Sequence, residues 1–340
     1  MPAILLTGAT GALGAPVLAE LLGRGHTVRC LTRSQSAERL RAQTNADVEI
    51  IESDLSDLHP GILDGIEHVV HCAAWLPNSR TDRALAKRDP SIITRTNLDA
   101  TCKLAALASA HGATSFTFIS STAAAAVPTA DHTGMIDETS LFQPNSAYGW
   151  SKYHAEQALL DIAQSTNLRV VILRPPMLAG PGLRDGPLLS LCKLTRWGLM
   201  PVIGDARALT KPLLHINDLA AAIRQAIETP AASGCFYVHS GARHQFGEMI
   251  DTAARLQGRT RGHIQLPKPP IALTIQAVEW LAANLGTQPP VTTERLTLYL
   301  LDREISIARA KQVLGFAPAN QNLTVLLEES LASFRATGQL

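Results

Sequence analysis

Charge imbalance, paired cysteines and long apolar runs are all scarce in this sequence, and each scarcity excludes a class of function. Lysine and arginine number 30 against 29 acidic residues, a net charge of +1. No global field therefore draws the chain to nucleic acid or to an anionic membrane, and a small molecule is the expected partner. The five cysteines (Cys30, Cys72, Cys102, Cys192 and Cys235) are odd in number and include no CxxC pair. That argues against a disulfide framework or structural zinc and for a reducing compartment. The histidines lack HxxxH or HExxH spacing, so no metal site is expected. No apolar run approaches the ~18 residues of a spanning helix. The opening MPAILLTG has neither a basic leader nor a cleavage site, and the chain is expected to be cytoplasmic.

What is present is ample core material, 46% hydrophobic residues in a chain of 340. Short apolar runs stand at Ala3–Leu6, Thr27–Leu31, Val48–Ile51, His68–Cys72, Phe116–Ser120 and Arg169–Leu173. Between them, Ala12–Gly23, Ser91–Ala110 and Ala147–Gln164 carry apolar residues at helical spacing. Alternation of this kind builds an α/β fold, a Rossmann-type doubly wound parallel sheet with right-handed crossovers. After Pro175 the texture changes to proline, glycine and short irregular pieces, then an Ala-rich helix at Asp218–Glu228 and a last strand at Cys235–His239. We read residues 1–175 as one domain built on this sheet. Residues 176–340 read as a smaller substrate-binding lobe, with a segment at about 211–240 returning to the main sheet.

The segment Thr7-Gly8-Ala9-Thr10-Gly11-Ala12-Leu13-Gly14 follows the first strand and opens the first helix. Its glycines let the backbone turn tightly and approach a pyrophosphate, which the helix N-terminus then receives. The ordinary tight turn is the competing reading, and the strand–helix context decides against it. At the end of the second strand an acidic residue would take the ribose of NAD, whereas a basic one suits the extra phosphate of NADP. Here stands Cys30-Leu31-Thr32-Arg33-Ser34, with no carboxylate, so NADP is expected rather than NAD, with Arg33 as the phosphate ligand. Asp54 and Leu55, after the third strand, suit the adenine edge; Asp54 as a mere cap is the alternative.

Tyr148 and Lys152 stand four residues apart and so share one helix face. A phenol titrates near 10, too high for proton transfer at neutrality, and a neighbouring cation favours the phenolate. The hydroxyls of Ser120-Ser121-Thr122 end the fifth strand, where ligands of open α/β sheets bind, and one of them can polarise a substrate carbonyl.

With these motifs in place, the chain resembles the extended short-chain dehydrogenase/reductase family, the group of NAD-dependent epimerases/dehydratases and 3β-hydroxysteroid dehydrogenases. Further motifs carry the likeness: His71-Cys72-Ala73-Ala74, Asn97, Glu138, Leu173-Arg174-Pro175, His215 to Ala220, and Ala310-Lys311 to Phe316. The resemblance implies that Tyr148 is the acid/base and Lys152 its electrostatic helper. It makes Thr122 the substrate-polarising hydroxyl, with Ser121 next, and has Asn97 support a proton relay. It also adds Ala73, Ala74 and Pro175 to the cofactor site, and implies a homodimer through helices such as Ser91–Ala110 and Ala147–Gln164.

Departures from the family bear on the substrate. Ala123 to Ala126 replace the residues that sugar epimerases and dehydratases place after the catalytic hydroxyl, and Met177 replaces a diphosphate-binding Asn. Lys211 alone points back toward a phosphate. The stretch from Pro269 to Leu285, continuing through Pro289-Pro290-Val291-Thr292, looks like the hydroxysteroid and dihydroflavonol branch. There Glu279 is the single charge; the stretch suits a pocket wall or a lipid surface, and a plain buried helix is the expectation. The expected activity is hydride transfer between NADP(H) and a carbonyl or secondary alcohol on a small, fairly apolar substrate. The alternatives are a nucleotide-sugar epimerase/reductase and a non-catalytic dinucleotide sensor, the latter disfavoured because both Tyr148 and Lys152 are kept. The segment Asn78–Asp89, with Arg80, Arg83, Lys87 and Arg88, reads as a solvated loop, and His71 as a packed residue.

Overall fold

The computed structural model describes residues 3–44, 48–76, 80–128, 134–284 and 300–340. Seven strands form one parallel sheet: β1 (Ala3–Thr7), β2 (Thr27–Thr32), β3 (Glu49–Glu52), β4 (Ile66–His71), β5 (Ser115–Ile119), β6 (Arg169–Arg174) and β7 (Gly234–Tyr237). Their order is β7-β6-β5-β4-β1-β2-β3, every pairing parallel. From β1 the chain moves outward to β2 and β3, then crosses back to lay β4 along the other side of β1. The carboxyl ends of β1 and β4 thus flank the crevice where strand order reverses.

Both faces of the sheet are covered, so its central strands are apolar throughout rather than alternating. On one face Ile4 and Leu6 pack with Val17 and Leu21 of helix α1 (Gly14–Gly23) and with Leu219 and Ile223 further along the chain. On the other, Leu5, Phe116 and Phe118 meet Leu104, Ala155 and Leu159. After α2 (Ser34–Gln43) comes α3 (Arg80–Arg88), where a loop is expected from its charge. Its residues are mostly strong helix formers, and Asp82 in the first turn with Lys87 and Arg88 in the last suits the helix dipole. Asn78 lies outside the described residues.

The helix expected over Ser91–Ala110 is broken. A single turn at Ile92–Thr94 leads into a π turn at Arg95–Asp99 before α4 (Ala100–Ala110) begins. Helix α5 (Ala147–Ser165) follows, then α6 (Pro187–Arg196), α7 (Ile216–Glu228), α8 (Phe246–Arg255), α9 (Lys268–Asn284) and α10 (Leu323–Ala336). Helices α6, α8 and α10 enclose a second apolar core through Leu188, Leu191, Met249, Ile250, Leu327 and Phe334. Two short parallel ribbons frame it, Met177–Ala179 with Leu213–His215 and Met200–Ile203 with His263–Leu266. The buried helix expected after Pro269 is instead an exposed one: in α9, Leu273 is 67% and Trp280 69% exposed. Ile271, Ile275 and Val278 of the same helix are only half-buried, and Leu285 and Pro289 to Thr292 lie outside the described residues.

Gly14 shows how closely α1 seats on the first turn, since a Cβ built there would lie 2.0 Å from the Gly8 carbonyl oxygen. Gly23, at the far end of the same helix, has nothing within 4 Å of such a Cβ. Gly14→Ala should therefore cost about 3 kcal/mol, by forced displacement of packed backbone. Gly23→Ala should be neutral or stabilising by up to ~1 kcal/mol. Denaturant melts of the two variants check this; equal effects would mean that α1 is not pinned at its start.

Candidate active site

The first turn is shaped by backbone meeting backbone. Gly8 takes φ +76°, and a Cβ there would lie 2.8 Å from the Ala73 nitrogen at the end of β4. The Gly11 N–H closes the turn onto the Gly8 carbonyl at 2.9 Å, while no acceptor among the described residues takes the N–H of Ala12 or Leu13. Those donors, at a helix N-terminus in a cradle that a Cβ would fill, fit a dinucleotide pyrophosphate. Arg33 is exposed at the end of β2 in extended backbone. Asp54 is exposed and closes its own turn, accepting from the Ser56 N–H at 2.9 Å and its hydroxyl at 2.7 Å. These bonds hold the Asp54 carboxyl below its ordinary range, and nearby Arg33 adds to the effect. Leu55 packs on the sheet core. Sequence reasoning missed Arg39, whose guanidinium donates to the Thr10 carbonyl at 3.4 Å and brings a second cation to the cradle.

Helix α5 starts at Ser146, whose hydroxyl accepts from the Gly149 N–H at 3.0 Å. Gly149 then lets the helix dock without a gap on the single turn Thr122–Ala125: a Cβ there would stand 2.4 Å from the Ala123 carbonyl oxygen. Docking brings Tyr148 to the end of β5, where the Ser121 hydroxyl is near enough to favour ionisation of its phenol. Thr122 instead bonds its N–H to the Pro175 carbonyl at 3.0 Å and turns its side chain to a cavity in the lobe. The two hydroxyls are thus divided, Ser121 on the phenol and Thr122 on the cavity wall. Lys152 is only 2% exposed. Its Nζ donates to the Ile119 carbonyl at 2.7 Å and lies 4.4 Å from the Phe118 ring centroid and 6.0 Å from that of Tyr148. Burial pulls the Lys152 ammonium down to about 8 and pushes the Tyr148 phenol up to about 12, against which the Ser121 hydroxyl works.

Asn97 sits in the π turn, where its side chain is fully engaged. Oδ1 accepts from the Trp75 N–H at 2.7 Å, and Nδ2 donates to the Trp75 carbonyl at 2.9 Å and to Ser151 Oγ at 3.2 Å. Ser151 in turn donates to the Tyr148 carbonyl at 2.8 Å. Asn97 therefore clamps the segment after β4 to the helix that carries Tyr148. Its backbone carbonyl accepts from Thr101 Oγ1 at 2.9 Å. Thr101 has spent its proton there, so it accepts from His71 Nε2 at 2.9 Å; His71 Nδ1 then accepts from Thr7 Oγ1 at 2.7 Å. Thr7 Oγ1 also receives the Ala73 N–H at 3.2 Å. His71 is fully buried, and burial, reinforced by the Lys152 charge, drives its pKa down to about 3.

One turn beyond Lys152, Glu156 is also fully buried. It pairs with Arg174 through Nη2 at 2.6 Å and Nε at 3.0 Å, and accepts from the Ser120 hydroxyl. Arg174 lies over the Tyr237 ring of β7 at 5.3 Å, and the Tyr237 N–H donates to Glu138 at 2.8 Å. The i, i+4 step from Lys152 was the sequence signal for Glu156, and it passed unread.

Beside Thr122 a cavity of about 360 Å³ opens between α6, α8 and the ribbons, walled by Met177, Leu191, Met200 and Phe246 and bearing Lys211 and Arg303. A larger hollow of about 580 Å³, lined by Arg207, Glu248 and Asp251 among others, holds none of these reactive groups. Among the described residues no His/Cys/Asp/Glu cluster could hold a metal, and no helix is long and apolar enough to cross a membrane.

The model of the NAD dependent epimerase/dehydratase family matches residues 4–238. The chain is 27% identical to sterol-4-alpha-carboxylate 3-dehydrogenase (decarboxylating) of Dictyostelium discoideum, over 93% of this chain and 96% of that protein. It is 28% identical to UDP-glucose 4-epimerase of Vibrio cholerae, over 93% and 90%. The crystal structure of gox2253 superposes with a TM-score of 0.80, at 25% identity and full coverage of both chains.

Two outcomes follow from the buried groups. Glu156→Gln or Arg174→Met alone should destabilise the protein by about 3–5 kcal/mol, because each leaves a buried charge uncompensated. The double variant should lose less than the two singles together, as urea melts will show. His71 is neutral when folded (about 3) and titrates near 6.5 when unfolded. The unfolded chain binds the extra proton between those values, so stability falls as pH drops from 6.5, by up to about 1.4 kcal/mol per pH unit. His71→Gln should flatten the slope between about pH 6.5 and 5, above the carboxylate range; an unchanged slope would assign it to other groups.

Proposed function

The chain belongs to the NAD-dependent epimerase/dehydratase family, and we propose that it moves a hydride between NADP(H) and a carbonyl or secondary alcohol of a small, fairly apolar molecule. The observation that carries this reading is the Tyr148 ring 6.0 Å from the Nζ of a buried Lys152, on a helix docked against the turn whose Thr122 lines a cavity with apolar walls. A bound nicotinamide supplies or accepts the hydride. The turn from Gly8 to Gly14 would hold its pyrophosphate, with Ala73 and Ala74 along the approach and Arg33 at the adenosine ribose.

The remaining chemistry belongs to side chains of this chain. Tyr148 donates its phenolic proton to the substrate oxygen as that oxygen gains charge, and Ser121 steadies the phenolate left behind. Lys152, protonated below about 8, stabilises the phenolate through its charge. With its phenol held near 12, Tyr148 stays protonated through the neutral range, the form consumed in carbonyl reduction. Thr122 lines the cavity, which supports giving it a hold on the substrate oxygen. Arg33 supports the phosphorylated cofactor because β2 ends there without a carboxylate, and Arg39 adds charge nearby.

A nucleotide-sugar epimerase is the second reading, favoured by the Vibrio cholerae relative and by Lys211 in the cavity. Turnover of a ketone panel with NADPH and NADH separates the two. We expect NADPH-dependent reduction that falls about 10²–10⁴-fold in Tyr148→Phe, with NADPH affinity kept. Interconversion of a UDP-sugar without net cofactor consumption would replace this reading with epimerisation. For the cofactor, Arg33→Ser should weaken NADPH at least tenfold while leaving NADH within about twofold. Tighter NADH than NADPH binding by the unaltered protein would return the assignment to NAD.

A further inference from the structure

The net charge of +1 averages over an uneven surface. Residues 186–204 and 256–278 hold five lysines and arginines and no acidic residue. The fold lays these two segments side by side. The Met200 N–H donates to the Gly262 carbonyl at 3.2 Å, Met200–Ile203 pairs in register with His263–Leu266, and a Cβ on Gly198 would stand 3.3 Å from the Arg261 carbonyl oxygen. Val202 points into the lobe core, so strand alternation puts Ile203, Ile264 and Leu266 on the opposite, outer side of the ribbon. Helix α6 ends at the same edge. Its Cys192 and Thr195 are buried, while Lys193, Leu194 and, just past the helix, Trp197 share an exposed face. Trp197 is 66% exposed, and exposed Leu199 carries the apolar strip on to the ribbon. Lys193 and Arg196 flank the strip on the helix, Arg259 and Arg261 precede the ribbon, and Lys268 lies against Gly204 at its far end. All five cations are exposed, and none is ion-paired among the described residues. Of the acids at the border, Asp251 is paired with Arg207 and Asp205 stands beyond the end of the ribbon.

We propose that this strip docks on an anionic lipid surface and brings the Leu194 edge of the cavity beside Thr122 to that surface. A plane of anionic headgroups matches cations segregated from acids, while Trp197, Leu199 and Ile264 enter the headgroup layer, which suits an indole. An acidic peptide would satisfy the cations but leave the exposed indole and aliphatic groups in water, and an apolar protein face would strand the cations. Continuity with the cavity favours the lipid further. Leu194 belongs both to the strip and to the cavity wall, and Met200, where the ribbon begins, lines the cavity too. An apolar molecule dissolved in the bilayer therefore meets the cavity at this edge. The attachment is peripheral: side chains enter the interface and the backbone stays outside it. That the bilayer supplies the substrate rests on the oxidoreductase reading; the docking face does not.

The test is sedimentation of the full chain with vesicles of phosphatidylcholine, with and without phosphatidylglycerol. Binding should be about tenfold stronger or more on the anionic vesicles, and should weaken as salt is raised. Trp197→Ser combined with Ile264→Ser should abolish it, and Arg259→Gln with Arg261→Gln should cut the anionic preference by roughly threefold or more. All four positions are exposed, so thermal melts should match the unaltered protein. Brominated lipid should quench tryptophan fluorescence, and Trp197→Phe should remove most of that quenching. No binding to anionic vesicles at low salt, which needs no variant, overturns the proposal, as does binding that the serine pair leaves intact. Binding of polyglutamate with none of vesicles would give the face to an acidic protein instead. A dimer that the serine pair dissolves, again without vesicle binding, would give it to a second copy of the chain. Vesicle binding without Tyr148-dependent turnover of any ketone would sink the oxidoreductase reading and leave the docking face standing.

Discussion

A buried ammonium sets the terms for the rest of this site. Lys152 cannot shed its charge to water, so the protein surrounds it with compensation: the Ile119 carbonyl at 2.7 Å, the face of Phe118, and Glu156 one turn along the same helix. Glu156 then requires its own partner, and Arg174 at the end of β6 supplies it, stacked on Tyr237 of the neighbouring strand. The same positive field disfavours protonation of His71, which stays neutral and passes hydrogen bonds between Thr7 and Thr101. Five strand ends of the sheet are thus tied to a single requirement, that the charge under the phenol be held dry.

The second constraint is close approach of backbone. Gly8 against Ala73, Gly14 against Gly8 and Gly149 against Ala123 are contacts that no side chain permits. The first two shape the turn at the point where strand order reverses. The third seats the catalytic helix on the turn that follows β5, and so brings the phenol to Ser121. The glycine turn and the Tyr148 helix therefore share one rigid frame, while the cavity wall comes from separate elements packed on the lobe's own core.

Much of the site was legible in the sequence because it rests on local spacing. The glycine turn after the first strand, the i, i+4 pair Tyr148 and Lys152, and the hydroxyls ending β5 are each written within a few residues. Other features were not. Ser121 and Thr122 are adjacent and chemically alike, and only the turn they start sends one to the phenol and the other to the cavity. The basic segment Arg80–Arg88 looked like a loop because charge reads as solvation, although its residues favour a helix. The stretch after Pro269 looked like a core helix because its apolar residues reveal nothing of whether a partner surface exists.

Arg303 is the clearest instance of what the sequence left hidden. It stands 181 residues beyond Thr122 by its number in the chain, in a segment with no motif, and meets Lys211 only because the lobe folds both toward one hollow. By itself, the sequence determined the order of the sheet's strands, the glycine turn after the first of them and the shared helix of Tyr148 and Lys152. Those depend on backbone preference and on residues a turn apart. The tertiary structure alone decided which hydroxyl lines the cavity, which charges are buried together and what walls the cavity has. Burial and convergence are properties of distant segments brought into contact, and no local pattern encodes them.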